Sequence, residues 1–405
     1  SSDLIDLDGA IPVFEDRFAT KSYFKSKGYL DYYSTDVAWT SQHAMNSCNN
    51  WLDYSYSVKV DFGDAGSLAV GPSEIITSHN SSTRKLGFSL MQALAKKGVT
   101  ATPSYDSVER GEDILYRHFS FSLGVKGENK YTNKLYAKLS SGQKKVVDKS
   151  LKENGFAVFF TTDNEIEKAW FDLPVLAIIG KDGASLARAV DSVIAQLEEN
   201  SSVHLEANLC MTQLENPVPD FGMALLNKGN IAVSIENDGT MVLPLMHTVP
   251  WQSPLLSWTH DFPERKTHVF EYALVPHKGN WREAELVKKG MEFNNPLLAC
   301  QTTIHNGSLP ASHCFFSTEN ENVIISAIKP KTNGVESYSA KVETDAKNGV
   351  VVRVYEANGT SSDFTFQSSF PIQNAQKTNL MERQPSSVKY DVNRIEDAIT
   401  SSSIE

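Results

Sequence analysis

The hydrophobic pattern of this chain changes part-way along its length, and that change limits the folds it can adopt. In residues 66–202, continuous apolar runs at Phe156–Phe160 and Leu173–Ile179 suit strands that are covered on both faces. Amphipathic helices are predicted beside them over Ser82–Lys97 and Ala184–Leu197, where apolar residues recur on one helical face. This alternation predicts an α/β subdomain of flavodoxin-like type.

Beyond residue 202 the helical periodicity fades and short strands follow one another. They are predicted at Val203–Leu209, Ile231–Ile235, Met241–Leu245, His268–Leu274, Val323–Ile328, Val350–Tyr355 and Phe364–Phe366. We therefore predict a C-terminal antiparallel β-sandwich over residues 203–405. The final fifteen residues are predicted to form a weakly helical or frayed tail.

The first 65 residues differ from both of these regions. They are rich in aromatic residues and serine, and the alternation that starts at Tyr54 suits half-buried strands, so residues 1–65 are predicted to be irregular and β-containing. A chain of 405 residues exceeds what one hydrophobic core usually organises. We therefore expect a β-rich multidomain protein. The chain does not begin with Met, which we interpret as the mark of a processed product or of a part of something longer.

Charge and cysteine content limit the partners. The chain has 38 basic and 49 acidic residues, a net charge of -11, which repels nucleic acid and anionic membrane surfaces. It contains no apolar run of about 18 residues, so no membrane span is expected. The cysteines Cys48, Cys210, Cys300 and Cys314 form no Cys-x-x-Cys motif. A zinc ribbon is therefore not expected, and whether the cysteines pair stays open.

Local motifs for chemistry are weak. The turn that begins at Gly180 lies between a strand and a helix and could bind phosphate, but it matches no nucleotide-binding pattern, and an ordinary capped loop explains it equally well. Four histidines, His247, His260, His268 and His277, share one stretch without the spacing of metal ligands. No Gly-x-Ser-x-Gly motif occurs, and 49 acidic residues nominate no carboxylate pair.

A longer motif is more specific. The segment Thr267-His-Val-Phe-Glu-Tyr-Ala-Leu-Val-Pro-His-Lys-Gly-Asn-Trp-Arg-Glu-Ala matches the pattern His-x-Phe-x-Tyr-Ala-Leu-x-Pro-His-x-Gly-x-Trp at every fixed position. This pattern resembles the signature of the C-terminal β domain in family 38 α-mannosidases. The signature residues that we expect to be structural are His268, Phe270, Tyr272, Pro276, His277, Gly279 and Trp281.

Flanking segments extend the resemblance over about residues 203–385. The segments Asp220-Phe-Gly-Met-Ala-Leu-Leu-Asn and Val352-Arg-Val-Tyr-Glu-Ala-Asn-Gly are similar to two strands of that family, and Phe293-Asn-Asn-Pro-Leu resembles its Asn-x-Pro-Leu element. Two positions depart from it: Glu264-Arg-Lys-Thr stands where relatives often have Asp-x-Gly-x, and Leu245-Met-His stands for Leu-Leu-Arg. The α/β subdomain has no counterpart in the better-known members.

The resemblance implies a function and a division of labour. In family 38, retaining hydrolysis of α-mannosides uses zinc and an Asp nucleophile in an N-terminal catalytic domain, whose motifs do not occur in this sequence. We therefore expect no catalytic or metal-binding residue here, and a chain that is inactive alone. Its expected partners are an N-terminal catalytic domain, which would hold the zinc, and mannose-containing glycans. Residues Trp251, Trp258, His260 and Asp261 are candidates for carbohydrate contacts, because aromatic rings can stack on sugars.

Two other functions stay open. The sandwich could act alone as a carbohydrate-binding module, or the α/β subdomain could bind a nucleotide or a protein at the carboxyl ends of its strands. A periplasmic or secreted location is expected from the glycan-degrading role, and a cytoplasmic one stays open.

Overall fold

The computed structural model describes most of the chain. The described residues are 9–16, 19–22, 46–48, 50–108, 118–163, 172–198, 204–206, 209–212, 214, 217–230, 232–235, 239–243, 245, 267–304, 306–331, 349–401 and 404. The chain divides into two compact units, Ser1–Pro296 and Leu297–Glu405. In the described ranges, no helix combines the length and the apolar character that crossing a membrane requires.

The first unit mixes strands and helices. Its strands are β1 (Ile11–Asp16), β2 (Ala19–Ser22), β3 (Asn46–Ser47), β4 (Trp51–Ser55), β5 (Lys59–Asp61), β6 (Ser67–Ala69), β7 (Ser73–Thr77), β8 (Ala101–Tyr105), β9 (Phe119–Val125), β10 (Phe156–Asp163), β11 (Leu173–Gly180), β12 (His204–Glu206), β13 (Phe221–Asn227), β14 (Ala232–Ile235), β15 (Met241–Val242) and β16 (Tyr272–Lys278). Its helices are α1 (Ser81–Lys96), α2 (Lys130–Lys138), α3 (Ser141–Asn154), α4 (Gly183–Glu198) and α5 (Leu286–Asn294), with a 3₁₀ turn at Gly63–Ala65.

An antiparallel sheet with the order β16-β13-β4-β1-β2 joins strands from both ends of this unit. On one face, the inner strands and β14 enclose a core that includes Phe14, Leu52, Tyr54, Val233 and Ile235. Helix α5 lies close to β4, since a Cβ atom added at Gly290 would stand 2.9 Å from the Trp51 side chain. Residues 1–65 and residues beyond 203 thus share one sheet.

The α/β subdomain, predicted over residues 66–202, forms a second sheet with the order β10-β11-β9-β7-β8. Strands β7, β8, β9 and β11 run parallel, whereas β10 is antiparallel to β11. On one face, α1 and α4 pack on the sheet through a core that includes Leu90, Leu94, Phe121, Ile178 and Val190. On the other face, α2 and α3 contribute Tyr131, Leu135, Val147 and Leu151 to two further clusters.

The strand order of this sheet departs from the predicted flavodoxin-like one. Numbered within the subdomain, the order is 2-1-3-5-4, whereas flavodoxin has 2-1-3-4-5. The last two strands exchange places because only residues 164–172 connect β10 to β11. A parallel neighbour would require a crossover of about a dozen residues or more, so the short connection favours an antiparallel pair.

The second unit is all β. Its strands are β17 (Phe316–Thr318), β18 (Val323–Pro330), β19 (Val350–Glu356), β20 (Ser362–Ser368), β21 (Gln376–Lys377), β22 (Ser386–Ser387), β23 (Lys389–Tyr390) and β24 (Arg394–Ile399). The sheet β17-β20-β24-β23 and the β18–β19 pair, both antiparallel, meet in a core formed by Val323, Val354, Phe364, Phe366 and Ile399. This arrangement is an antiparallel β-sandwich.

The structure corrects several predictions made from the pattern. The predicted helical or frayed tail is wrong, because β24 pairs with β20 over six residues and buries Ile399. The strand predicted at His268–Leu274 begins only at Tyr272 and continues to Lys278. Strand β9 escaped prediction, because its serines interrupt the apolar run although every residue from Phe119 to Gly124 is buried.

Candidate functional site

The signature segment forms an edge strand, a turn and the start of a helix. In β16, Tyr272 and Pro276 point outward and are exposed, whereas the side chain of His277 points inward and is 5% exposed. His268 and Phe270 precede the strand outside regular structure, with their rings nearly parallel and 6.2 Å apart. The structure therefore separates the signature into an outward group and an inward group.

His277 crosses a neighbouring strand to reach a buried carboxylate. Its Nε2 lies 2.8 Å from Oδ1 of Asp53, which is fully buried on β4, although β13 lies between the two strands. The crossing occurs above Gly222, which pairs with His277; a Cβ atom there would stand 2.6 Å from Cε1 of His277 and 2.7 Å from Cβ of Ser55. The Ser55 hydroxyl donates to the other oxygen of Asp53. Glycine is therefore required at position 222 for this contact.

Two opposing effects act on the His277 pKa. Burial disfavours the charged ring and lowers the pKa, but the hydrogen bond to Asp53 and the charge of that carboxylate raise it by more. Lys289 on α5 adds a smaller lowering effect. The net shift is upward from the ordinary value of 6.5. The geometry therefore favours an imidazolium paired with a carboxylate inside the sheet.

Trp281 fills the space beneath the turn. It is fully buried, and its ring centroid lies 5.4 Å from that of Trp51 on β4. Its indole nitrogen donates to the Ser57 hydroxyl at 3.2 Å, and the guanidinium of Arg282 lies 4.1 Å from its ring centroid. Aromatic packing of this kind stabilises a core beyond the area it buries.

Arg282 joins the turn to the α/β subdomain. One guanidinium nitrogen donates to the carbonyl of Ser57 and another to the carbonyl of Lys97, each at 3.0 Å. Lys97 is the buried C-cap of helix α1. Charged donors make stronger hydrogen bonds than neutral ones, so this side chain ties the signature turn to the end of that helix. We call Asp53, Ser57, His277, Trp281 and Arg282 together the clasp.

The turn itself is held by its own side chains. Oδ1 of Asn280 accepts from the amides of Arg282 and Glu283, at 2.8 and 3.2 Å, and Glu283 accepts from the Asn280 amide. Gly279 has φ +67°, and a Cβ atom there would collide with Oε2 of Glu283. Burial and then the charge of Glu283 raise the pKa of the neighbouring Tyr56 to about 12, although its hydrogen bond to Asn280 acts in the opposite direction. The turn is therefore preorganised.

These contacts define what the signature can do chemically. The polar atoms of three inward-pointing side chains, His277, Trp281 and Arg282, form hydrogen bonds with partners within the chain. This suits a structural role. Among the residues that the structure describes, no group of three histidines, cysteines or carboxylates is placed to hold a metal ion.

The other sites predicted from sequence fall into two classes. The candidate carbohydrate contacts Trp251, Trp258, His260 and Asp261 lie outside the described residues, and so does His247. At the turn after Gly180, the Asp182 carboxylate accepts the Ser185 amide at 2.8 Å, which lowers its pKa. A negative side chain thus stands where a bound phosphate would need the helix amides.

The inner partners of the signature were not predicted. Trp51, Asp53, Ser55 and Ser57 alternate along one face of the N-terminal segment, but a polar alternation of this kind usually marks a solvent-facing side. The one available signal was Gly222 within an otherwise apolar strand, since such a glycine often marks a close approach of another group.

The comparisons with known proteins locate the similarity at the C-terminal side. The family model described as "Glycosyl hydrolases family 38 C-terminal beta sandwich domain" matches residues 322–403. Alpha-mannosidase G of Dictyostelium discoideum is 31% identical over 151 residues, 37% of this chain and 12% of that protein. Alpha-mannosidase 2C1 of Mus musculus is 30% identical over 166 residues, 41% of this chain and 14% of that protein.

The match to Alpha-mannosidase 2C1 of Homo sapiens is of the same extent, 28% identity over 164 residues, 40% of this chain and 14% of that protein. The chain thus matches only about an eighth of the length of these relatives. The matched family domain corresponds to the β-sandwich of the second unit, and the first unit supplies the signature strand. Residues 322–403 of this chain therefore form a C-terminal β-sandwich domain of the kind found in glycosyl hydrolase family 38.

Proposed function

We propose that this chain is the supporting, non-catalytic part of a retaining α-mannosidase, and that hydrolysis of α-mannosides takes place in an N-terminal catalytic domain outside this sequence. One observation supports the proposal: the signature residues His277 and Trp281, with the adjoining Arg282, direct their polar atoms at groups of the chain itself. Hydrogen bonds to partners inside the chain suit a structural role for these side chains. The signature then serves to fix the geometry of a scaffold.

The outer face of the signature strand offers a surface for the catalytic domain. Tyr272 and Leu274, two residues apart on β16, are both more than half exposed. Exposed apolar side chains that lie next to one another commonly mark protein contacts. The clasp would hold these exposed side chains in place from the opposite face of the sheet, because His277 and Tyr272 belong to the same strand.

The family resemblance also implies which parts of the enzyme would hold zinc and form the glycan-binding cleft. Zinc would be held by the catalytic domain, where it would help to position the mannoside. Trp251, Trp258, His260 and Asp261 would line one wall of the cleft. A periplasmic or secreted location is part of the same proposal, because it would bring the enzyme to its glycans.

A reconstitution experiment tests this function. Hydrolysis of an aryl α-mannoside is measured for the purified chain with added zinc, for the catalytic domain alone, and for the two combined. We expect the chain alone to be inactive and the combination to exceed the catalytic domain alone. Activity of the chain alone would overturn the proposal, and so would a combination no more active than the catalytic domain by itself.

A further inference from the structure

One segment of the first unit carries a charge opposite to that of the whole chain. Between Lys126 and Asn154 there are eight lysines, no arginine and three acidic residues. The chain has 38 basic and 49 acidic residues in total, which leaves 30 basic against 46 acidic residues outside this segment. Positive charge is therefore concentrated in a short part of an otherwise acidic protein.

The segment forms helices α2 and α3, and each helix turns lysines outward. Tyr131 and Leu135 of α2, like Val147 and Leu151 of α3, are buried in clusters against the sheet. The side chains that point away include six exposed lysines, Lys126, Lys130, Lys134, Lys145, Lys149 and Lys152, which we call the lysine face. Helical neighbours four residues apart lie about 6 Å apart along the axis, so the charges are closely spaced.

A half-buried tyrosine joins the two helices at this surface. The Tyr136 hydroxyl donates to Asp148 at 2.8 Å, and Lys126 donates to the same carboxylate at 2.7 Å. Lys126 and Lys144 also lie 5.1 and 6.0 Å from the Tyr136 ring centroid. These contacts connect the loop after β9 with α2 and α3. Lys130 and Lys134 lie one turn apart on α2, and Lys145, Lys149 and Lys152 lie on one side of α3, so each helix adds a row of lysines beside these contacts.

The size of this surface selects the kind of ligand. Helix α3 has 14 residues and is about 20 Å long, between two and three Debye lengths at physiological salt. A short anionic ligand can remain within that distance, whereas a duplex or a membrane would also meet the acidic remainder of the chain. Residues 126–154 contain no arginine, which also disfavours nucleic acid as the ligand, because its phosphates are commonly bound by bidentate guanidinium groups.

We propose that the lysine face is a binding surface for a short anionic oligosaccharide, one that carries phosphate, sulfate or carboxylate groups. The choice of an oligosaccharide rests on the proposed function in glycan hydrolysis. Such a surface would retain charged glycans near the enzyme, while the catalytic domain acts on their mannose residues.

The test measures binding without hydrolysis. A labelled mannose oligosaccharide bearing phosphomonoesters is titrated with the full chain and followed by fluorescence anisotropy, beside the same oligosaccharide without phosphate. We expect binding of the phosphorylated form only, weakened roughly tenfold between 50 and 200 mM salt, as a few lysine–phosphate contacts imply. The triple variant Lys130→Glu, Lys145→Glu, Lys152→Glu should abolish it.

A matched control separates the surface from the total charge. The triple variant Lys85→Glu, Lys278→Glu, Lys288→Glu changes the net charge equally at exposed lysines elsewhere and should bind as the wild-type chain does. Equal loss in both variants, or no binding by the wild-type chain, would overturn the proposal. Tighter binding to a DNA duplex or to phosphatidylserine vesicles would also overturn it. Because this test measures binding and not catalysis, its outcome does not depend on whether hydrolysis can be reconstituted.

Discussion

At the scale of single residues, the main feature is a buried ion pair that spans an intervening strand. Asp53 is fully buried and the His277 side chain nearly so, and removing one partner would leave the other buried without its counter-charge. Folding raises the His277 pKa, so the pair stabilises the folded state fully below the ordinary value of 6.5. That stabilisation is lost as the pH rises through the raised value.

The pH dependence follows from this sign. The free energy of unfolding is measured with urea between about pH 5.5 and pH 9. We expect the contribution of His277 to that free energy to be largest at the acidic end of this range. The variant His277→Gln should lose that part of the dependence and be less stable by roughly 3 kcal/mol below pH 6.5. His268→Gln, at the other signature histidine, is the control, because it leaves both His277 and Asp53 in place and should keep the part of the profile that depends on their pair. An unchanged profile in His277→Gln would contradict the buried pair.

Gly222 gives a second prediction at this scale. In Gly222→Ala the new methyl group would stand 2.6 Å from the His277 ring, which must move away from Asp53. We expect a loss of roughly 2–4 kcal/mol in urea unfolding, from overpacking and the broken hydrogen bond. Gly183→Ala is the control, because a Cβ atom there has no neighbour within 4 Å. A Gly222→Ala variant as stable as the control would show that the ring does not cross at this point.

At the scale of elements, the clasp connects three parts of the first unit that are distant in sequence. Strand β4 supplies Asp53, the signature turn supplies Trp281 and Arg282, and helix α1 ends at the Lys97 carbonyl that Arg282 binds. The α/β subdomain is therefore attached to the antiparallel sheet by a charged donor rather than by chain connection alone.

Arg282 tests this attachment. Arg282→Ala removes donors to two backbone carbonyls and should cost roughly 2–4 kcal/mol, because hydrogen bonds from charged groups exceed neutral ones in strength. Hydrogen exchange should increase in the last turn of α1, where Lys97 lies. Arg282→Lys keeps the charge but not the two-pronged geometry, and should recover part of the loss. Unchanged exchange in α1 for Arg282→Ala would refute the attachment.

Asp182 tests whether the α/β subdomain binds phosphate. As the side chain that accepts the Ser185 amide, it should stabilise the start of helix α4, so Asp182→Ala should lower the melting temperature. Adding inorganic phosphate or a nucleotide should leave the melting temperature of the wild-type chain unchanged, because the carboxylate already accepts the Ser185 amide and would repel an anion. A clear increase would favour the nucleotide-binding function instead.

The elements differ in how much their sequences could predict. Helices α1 and α4 followed from apolar periodicity, and β10 and β11 from continuous apolar runs, because local pattern determines each of them. The strand order did not follow, since it depends on the short connection between β10 and β11. The signature was identified from its residues, but its inner partner Asp53 lies 224 positions away, and pairing over such a distance leaves no local pattern.

At the scale of the whole molecule, one unit holds the matched family domain and the other holds the signature strand. The second unit is the sandwich that the family model matches over residues 322–403. The first unit joins the signature strand to an α/β subdomain that carries the lysine face. In the proposed function, both units serve as a scaffold, and the chemistry belongs to the catalytic domain.

The central claim is that the signature histidine acts through folding and not on the substrate. The decisive measurement is aryl α-mannoside hydrolysis by the reconstituted enzyme containing His277→Gln, divided by the folded fraction of that chain from urea unfolding under the same conditions. The account predicts wild-type activity per folded molecule and an unchanged KM. A variant that is fully folded and still loses most of its kcat would contradict the claim and place His277 at the reacting centre.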